Sequence, residues 1–208
     1  MPRISKEESE ARRTEIIDAC EALYATESYH DITMTQVASK VSFGRANVYN
    51  YFQSKEEILL ALLQREHELW MQDLLVLDRD EDLVSNKQIA QALGASLAKR
   101  SQMLKLLAMN LYDMEHNSRI ENLVEFKQVY ARLLQALRGL LASKKPEWNS
   151  AQIDQCIYCF LSFLHGVYPY VFHSEKQLAA MKEAGIQPPD ITIESLVCAC
   201  VEKLLQVD

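Results

Sequence analysis

Apolar residues early in the chain recur in steps of three and four. Ile16, Ile17, Cys20, Leu23 and Tyr24 form one stripe, which predicts a helix from residue 5 or 6 to residue 26. Ser28-Tyr29-His30-Asp31 breaks that stripe. Thr33 or Thr35 then offers an N-cap for a short second helix with Val37, Ala38 and Val41 inward. Ser42-Phe43-Gly44 reads as a turn, and a third helix is expected over residues 45–52, with Val48, Phe52 and either Tyr49 or Tyr51 on its inner face. Ser54 and Glu57 have the Ser-x-x-Glu spacing of a capping box, and they open a long helix from Lys55 to about residue 77.

Beyond a charged loop at Asp78–Leu83 the pattern stays helical. Helices are expected near 86–98, 101–114, 118–143, 150–172, 175–184 and 192–206. Gly185 and Pro188-Pro189 punctuate the last two, and Pro146 separates two long ones. No strand-period alternation, repeat or low-complexity segment stands out. The fold class expected is all-α: an N-terminal three-helix helix-turn-helix domain plus a helical-bundle regulatory domain.

The third helix differs from the rest. Its outer positions hold small, polar and aromatic residues where a core helix would hold aliphatics. A helix needs that surface if it is to lie in the DNA major groove. Arg45 and Asn47 are its side chains best able to make paired contacts with guanine or adenine.

Composition narrows the alternatives. In 208 residues, 49% are hydrophobic, with five Gly and five Pro, so a sizeable helical core can be buried. No apolar run approaches the ~20 residues of a membrane span, and the N-terminus lacks an apolar signal stretch. A soluble, cytoplasmic protein with reduced cysteines is expected. The net charge of −7 argues against a nonspecific nucleic-acid coat. Even residues 1–56 hold seven Lys/Arg against nine Asp/Glu. DNA binding there requires charge sorted by face, with Lys40, Arg45 and Lys55 in or beside the third helix and the acids on the first helix and its exit.

Val37-Ala38, Tyr49, Tyr51-Phe52 and Lys55 are spaced, without insertion, as in the DNA-binding domain of the TetR family of bacterial repressors, which residues 10–63 resemble. A weaker likeness to a TetR-type regulatory domain continues through Glu115-His116-Asn117 and Glu125-Phe126-Lys127. Three positions depart from the family: Ser42 stands where glycine is usual, Gly44 where a capping serine is common, and Asn47 where threonine is usual. The resemblance implies a helix-turn-helix DNA-binding domain over residues 1–53 and a ligand-binding and dimerisation domain over 54–208. It implies that Thr35 and Gln36 touch phosphate or a flanking base, that Arg45, Ala46 and Asn47 face base edges, and that Tyr49 and Asn50 contact backbone or a thymine methyl. Lys55 is expected on phosphate at the start of the fourth helix.

The second half collects the aromatics and methionines. Trp70, Met103, Leu107, Leu111, Tyr112, Phe126, Tyr130 and Phe163 are the candidates to line a ligand cavity, with Met71, Phe160, Tyr168 and Phe172 behind them. Such residues at helical spacing equally describe a plain core. Their chemistry suits a largely apolar small-molecule inducer. Asp113-x-x-His116 has metal-ligand spacing, but a solvated helix end explains it more cheaply. Cys156-x-x-Cys159 and Cys198-x-Cys200 invite a zinc reading. Two cysteines one residue apart on a helix point about 200° away from each other, so the latter pair cannot share an ion. No metal and no cofactor is expected. The helices over 150–172 and 192–206 are apolar on more than one stripe, and the resemblance implies that they form a four-helix homodimer interface.

These observations lead to the expectation of a homodimeric regulator that binds palindromic double-stranded operator DNA, represses, and is released by the small molecule. A TetR-type activator or a non-transcriptional DNA-binding protein is the alternative. An enzyme is not expected: no Glu-x-x-His pair repeats, and no nucleophile is seen beside a base.

Overall fold

The computed structural model describes residues 5–206, with Met109 described by its backbone alone; the outer domain limits expected at 1 and 208 lie outside that range. Every regular element among the described residues is helical. In chain order they are α1 (Lys6–Thr26), α2 (Met34–Ser39), α3 (Arg45–Val48), α4 (Lys55–Arg79), α5 (Asn86–Ala98), α6 (Ser101–His116), α7 (Ile120–Lys144), α8 (Ser150–Val171), α9 (Glu175–Glu183) and α10 (Ile193–Leu204).

Local chemistry sets the ends. Ser5 caps α1 by accepting from the Glu8 amide, and Thr33 rather than Thr35 caps α2, with a full capping box from Gln36. Boxes of the same kind open α5, α8, α9 and α10 from Ser85, Asn149, Ser174 and Thr192. Gly185, at φ 70°, ends α9. The Ile186 amide donates to the Met181 carbonyl and the Gly185 amide to Lys182, the paired bonds that a left-handed residue after a helix permits.

Helix α3 is shorter than expected. It ends at Val48 rather than 52, because the Asn50 and Tyr51 amides turn to carbonyls three residues back, Asn47 and Val48. Asn side chains favour such tightened turns over continued α-helix. The Phe52 amide still reaches the Val48 carbonyl at 3.1 Å, which delivers Phe52 into the core.

The chain divides into two compact units, Met1–Arg65 with Asn110–Val129, and Glu66–Met109 with Tyr130–Asp208. The first has Ile16, Cys20, Leu23 and Tyr24 of α1 buried, together with Val37, Val48, Phe52, Ile58, Leu59, Leu62 and Met114. A buried bond from the Tyr24 hydroxyl to Asn110 Oδ1 (2.8 Å) runs within it.

The second unit is built on apolar surface. Trp70 is 1% exposed, donates its indole N–H to Ser96 Oγ at 3.2 Å, and meets the Phe160 ring edge-on at 6.4 Å. Leu74, Leu93, Leu97, Leu137, Leu140, Ile157, Leu164 and Val201 are buried in the same unit. Helix α10 packs on α5 and α8. Gly94 permits the first contact: a Cβ there would lie 2.8 Å from the Glu194 carbonyl oxygen.

Candidate nucleic-acid interface

The expected reading residues lie on one exposed strip. Arg45, Ala46, Asn47 and Asn50 are exposed and Tyr49 is 45% exposed, while Val48 and Phe52 are buried beneath them and Tyr51 is half-buried. The inner aromatic is therefore Tyr51, whose ring lies 6.3 Å from that of Phe43. Gly44 caps α3 without a side-chain hydrogen bond.

Neighbouring groups hold these side chains in several different ways. Arg45 Nη2 donates to Thr35 Oγ1 at 2.6 Å, joining the first residue of α3 to α2. The Gln36 side chain is committed locally: Oε1 accepts from the Thr33 amide and hydroxyl, both at 2.8 Å, and Nε2 donates to Glu27 at 3.0 Å. Lys55 is half-buried, donates Nζ to the Tyr29 carbonyl at 2.6 Å and sits 4.2 Å from the Tyr29 ring centre. The Tyr29 hydroxyl in turn donates to Glu56 Oε1 at 2.6 Å. Burial first, and then that bond to a carboxylate, raise the Tyr29 pKa.

The turn between α2 and α3 explains the departure at Ser42. Both its amide and its hydroxyl donate to the Glu15 carboxylate, the hydroxyl at 2.9 Å. No non-glycine residue among those described has positive φ, so this turn needs no glycine.

Several acids of this unit are engaged by neighbouring side chains or amides. Besides Glu15, Asp18 and Glu21 are paired to Arg65, Glu8 to Arg12, Glu27 to Gln36 and Glu56 to Tyr29. These acids tie the unit together, and Lys40 and Arg45 stand exposed beside α3. Arg12 and Arg13 lie over the Phe43 and Phe52 rings at 5.2 and 4.8 Å.

The Ser54-x-x-Glu57 pattern is only half a capping box. Ser54 Oγ accepts from the Glu57 amide at 3.2 Å, but the Glu57 carboxylate takes the Gln53 amide (2.7 Å) rather than that of Ser54. Its main partner is Arg119, 62 positions away, which reasoning from local sequence does not reach. The only sequence signal for this pair is a charged residue on the inner stripe of α4.

The candidate ligand residues do not form one cluster by unit. Leu111, Tyr112 and Phe126 belong to the N-terminal unit; Trp70, Met103, Leu107, Tyr130 and Phe163 belong to the second. Tyr112 is 79% exposed and stacks on His116, with ring planes 5° apart. Met103 and Phe126 are buried, Leu107, Leu111, Tyr130 and Phe163 half-buried, and Tyr130 stands 6.1 Å from the His67 ring. Phe163 lines an open apolar groove of about 250 Å³ with Gly166, Val167, Tyr170, Ile191 and Leu196. Missed by the sequence reading are the polar residues inside this unit: buried Glu66 and His67, and half-buried Lys105, which burial holds below the usual lysine range.

All five cysteines are free thiols, and among the described residues no three His, Cys, Asp or Glu converge as metal ligands would. Among those residues no helix is long and apolar enough to cross a membrane.

Comparison with known proteins divides the chain once, near residue 63, whereas the first compact unit also takes in residues 110–129. Residues 16–62 match the family model for bacterial regulatory proteins of the tetR family, and residues 64–206 the model for the tetracyclin repressor-like C-terminal domain. The uncharacterized HTH-type transcriptional regulator YfiR of Bacillus subtilis is 30% identical over 63 residues, 30% of this chain and 31% of that protein. The fatty acid metabolism regulator protein of Bacillus subtilis is 23% identical over 127 residues, 61% of this chain and 59% of that protein. Each match thus spans less than two thirds of the relative. Two solved structures share the fold over nearly the whole length. The fatty acid degradation regulator FadR from Bacillus halodurans has a TM-score of 0.61 at 18% identity, covering 94% of this chain and 95% of the other. FadR from Bacillus subtilis in complex with stearoyl-CoA has a TM-score of 0.60 at 14% identity, covering 93% and 97%. With a helix-turn-helix and a helical C-terminal half each matched by its own family model, this chain belongs to the tetR family of bacterial transcriptional regulators.

Proposed function

We propose that the protein is a repressor that binds a palindromic operator as a homodimer and leaves it when an apolar small molecule, of the long-chain acyl class, occupies the second unit. The observation that carries DNA reading is the exposed run Arg45, Ala46, Asn47, Tyr49 and Asn50 over a buried Val48 and Phe52. Arg45 and Asn47 are read as the base-contacting residues, which requires Arg45 to exchange its bond to Thr35 for one to a base edge. Thr35, Gln36 and Lys55 are read as phosphate contacts; the Gln36 amide and side chain both serve the α2 cap, so a contact there requires one of those bonds to be exchanged.

The functional division is read at 53/54. Two features support dimerisation through α8 and α10: the outward aromatics Tyr158 and Tyr170, and the groove that Phe163 lines. Two recognition helices must meet successive major grooves roughly 34 Å apart, which a symmetric dimer can achieve. The acyl class is supported by the stearoyl-CoA complex of the relative that shares this fold. Helix α4, which contributes residues to both units, is read as the lever. The ligand acts only through different affinity for the two states.

Selection from random-sequence DNA at near-physiological salt tests the reading. Enrichment of a palindrome with half-sites about one helical turn apart is expected, and it should vanish in Arg45→Ala, Tyr49→Ala. Stearoyl-CoA should then displace the selected DNA while coenzyme A alone does not. Failure to enrich any sequence with folded, ligand-free protein sinks DNA reading; displacement by neither compound sinks the acyl assignment alone. A reporter driven from the selected site separates repression from activation.

A further inference from the structure

Residues 49–54 connect the recognition helix to α4; the Asn50, Tyr51 and Phe52 amides bond back to Asn47 and Val48, while the Gln53 amide bonds forward to the Glu57 side chain. Helix α3 has only four residues, and the chain leaves it through single tightened turns. Further support for this segment comes from the turn between α6 and α7. Arg119, the residue before α7, donates Nη2 to the Tyr51 carbonyl at 3.2 Å. The same guanidinium grips Glu57 with both arms, Nε to Oε1 at 2.7 Å and Nη2 to Oε2 at 2.9 Å, and the Arg119 amide adds a third bond at 3.1 Å. Glu57 Oε2 also accepts the Gln53 amide at 2.7 Å, and the Ser54 hydroxyl donates to the Asn117 carbonyl at 3.2 Å.

Glu57 is 1% exposed, so its charge is buried and requires a partner. Arg119 is 39% exposed and reaches it from the rim. The planar fork spans two carboxylate oxygens and a carbonyl in one fixed geometry, which an ammonium on a flexible stem reproduces less well. Tyr51, Gln53 and Ser54 are thus all tied, directly or through Glu57, to two residues of one distant turn, Asn117 and Arg119.

We propose that Arg119, acting through Glu57 and the Tyr51 carbonyl, is a positioning residue for the recognition helix, so that the α6–α7 turn sets the pose in which α3 meets DNA. The inference rests on the reading that α3 binds an operator. Arg119 touches no base in this scheme; it limits how far the exit of α3 can rotate. Any movement of the α6–α7 turn is passed to the Tyr51 carbonyl through one side chain.

The test uses the full-length protein as Arg119→Ala, Arg119→Lys and Glu57→Gln, with Arg45→Ala as control. Hydrogen exchange is followed at residues 48–53 and, as reference, at 16–23 of α1. Operator affinity is measured on selected DNA at a temperature where each variant remains fully folded. Faster exchange at Gln53 and its neighbours is expected in Arg119→Ala, with α1 unchanged. Operator affinity should fall about tenfold. Arg119→Lys should recover part of both losses. If exchange at 48–53 is unchanged, or if Arg119→Ala merely lowers the unfolding midpoint and the folded protein keeps full affinity, the inference is overturned. If Arg45→Ala also keeps full affinity, the reading of α3 fails; the exchange result still decides whether Arg119 holds the segment. Should Arg119→Ala not fold, Arg119→Lys and Glu57→Gln carry the same two measurements.

Discussion

In the N-terminal unit almost every turn is held by a side chain that reaches across sequence to a backbone group: Glu15 to Ser42, Lys55 to Tyr29, Glu57 to Gln53, Arg119 to Tyr51. In the second unit the recurring tie is apolar contact around Trp70, Leu93 and Phe160, with Arg100–Asp73 and Arg138–Asp154 as half-exposed ion pairs. Directional bonds fix where a surface points, which a reading helix needs. Apolar contacts fix volume and tolerate sliding, which suits the ligand-responsive role proposed for this unit. The two units should therefore fail in different ways when damaged.

Trp70→Ala is the most severe break. It removes a fully buried indole and leaves Ser96 without its donor, so a loss of about 3–5 kcal/mol is expected by denaturant titration. Exchange in α1 and α2 should change far less than exchange in α5 and α8; equal changes in both would erase the contrast. Gly94→Ala comes next. Its Cβ would meet the Glu194 carbonyl at 2.8 Å, so α5 and α10 must part, at about 1–3 kcal/mol. An unchanged unfolding midpoint would mean that α10 can shift freely.

Glu57→Gln tests the polar unit. Burial pushes the Glu57 carboxyl up, but bonds from Arg119 and from the Gln53 and Arg119 amides outweigh it and hold the pKa below its ordinary 4.5. The folded value is thus the lower of the two. The stability from this carboxylate is complete above the unfolded value and is lost as pH falls from about 4.5 through the folded value. Glu57→Gln should cost about 1.5 kcal/mol at neutral pH, modest because Arg119 reaches solvent. It should also flatten the acid limb of stability against pH. An acid limb identical to that of the parent chain would remove Glu57 from the account.

What was legible in the sequence follows the same division. Helix limits marked by caps and glycine or proline stops were readable within a few residues, as at Ser5, Asn149 and Gly185. The exposed strip of α3 was readable because a polar face over a buried Val48 and Phe52 has a period. The early end of α3 and the Glu57–Arg119 tie were not, since both depend on bonds that local spacing does not encode. Apolar residues of the second half were readable only as apolar. Trp70 and Tyr112 carry equal weight in a pattern, yet one is buried against Ser96 and the other stacks outward on His116.

The smallest effect is kinetic, and it sharpens the comparison without changing either unit. Cys20 is buried in the N-terminal unit, and burial pushes its thiol up to about 12; burial likewise takes Cys156, in the second unit, to about 11. Thiolate is the reactive form, so at neutral pH both should resist maleimide. Cys159 is exposed on the outward side of α8, beside Tyr158. Mass spectrometry of the natively labelled protein should find Cys159 modified first and Cys20 last. Labelling of Cys20 requires α1 to open, so its rate, like that at Cys156, should stay constant in Arg119→Ala if the loosening is confined to residues 48–53. Cys159 reports on a different event. If α8 pairs with a second copy of the chain, its labelling should slow as protein concentration rises through the dimer range. A rate at Cys159 independent of concentration would take this face of α8 out of the proposed dimer, whatever the DNA measurements show.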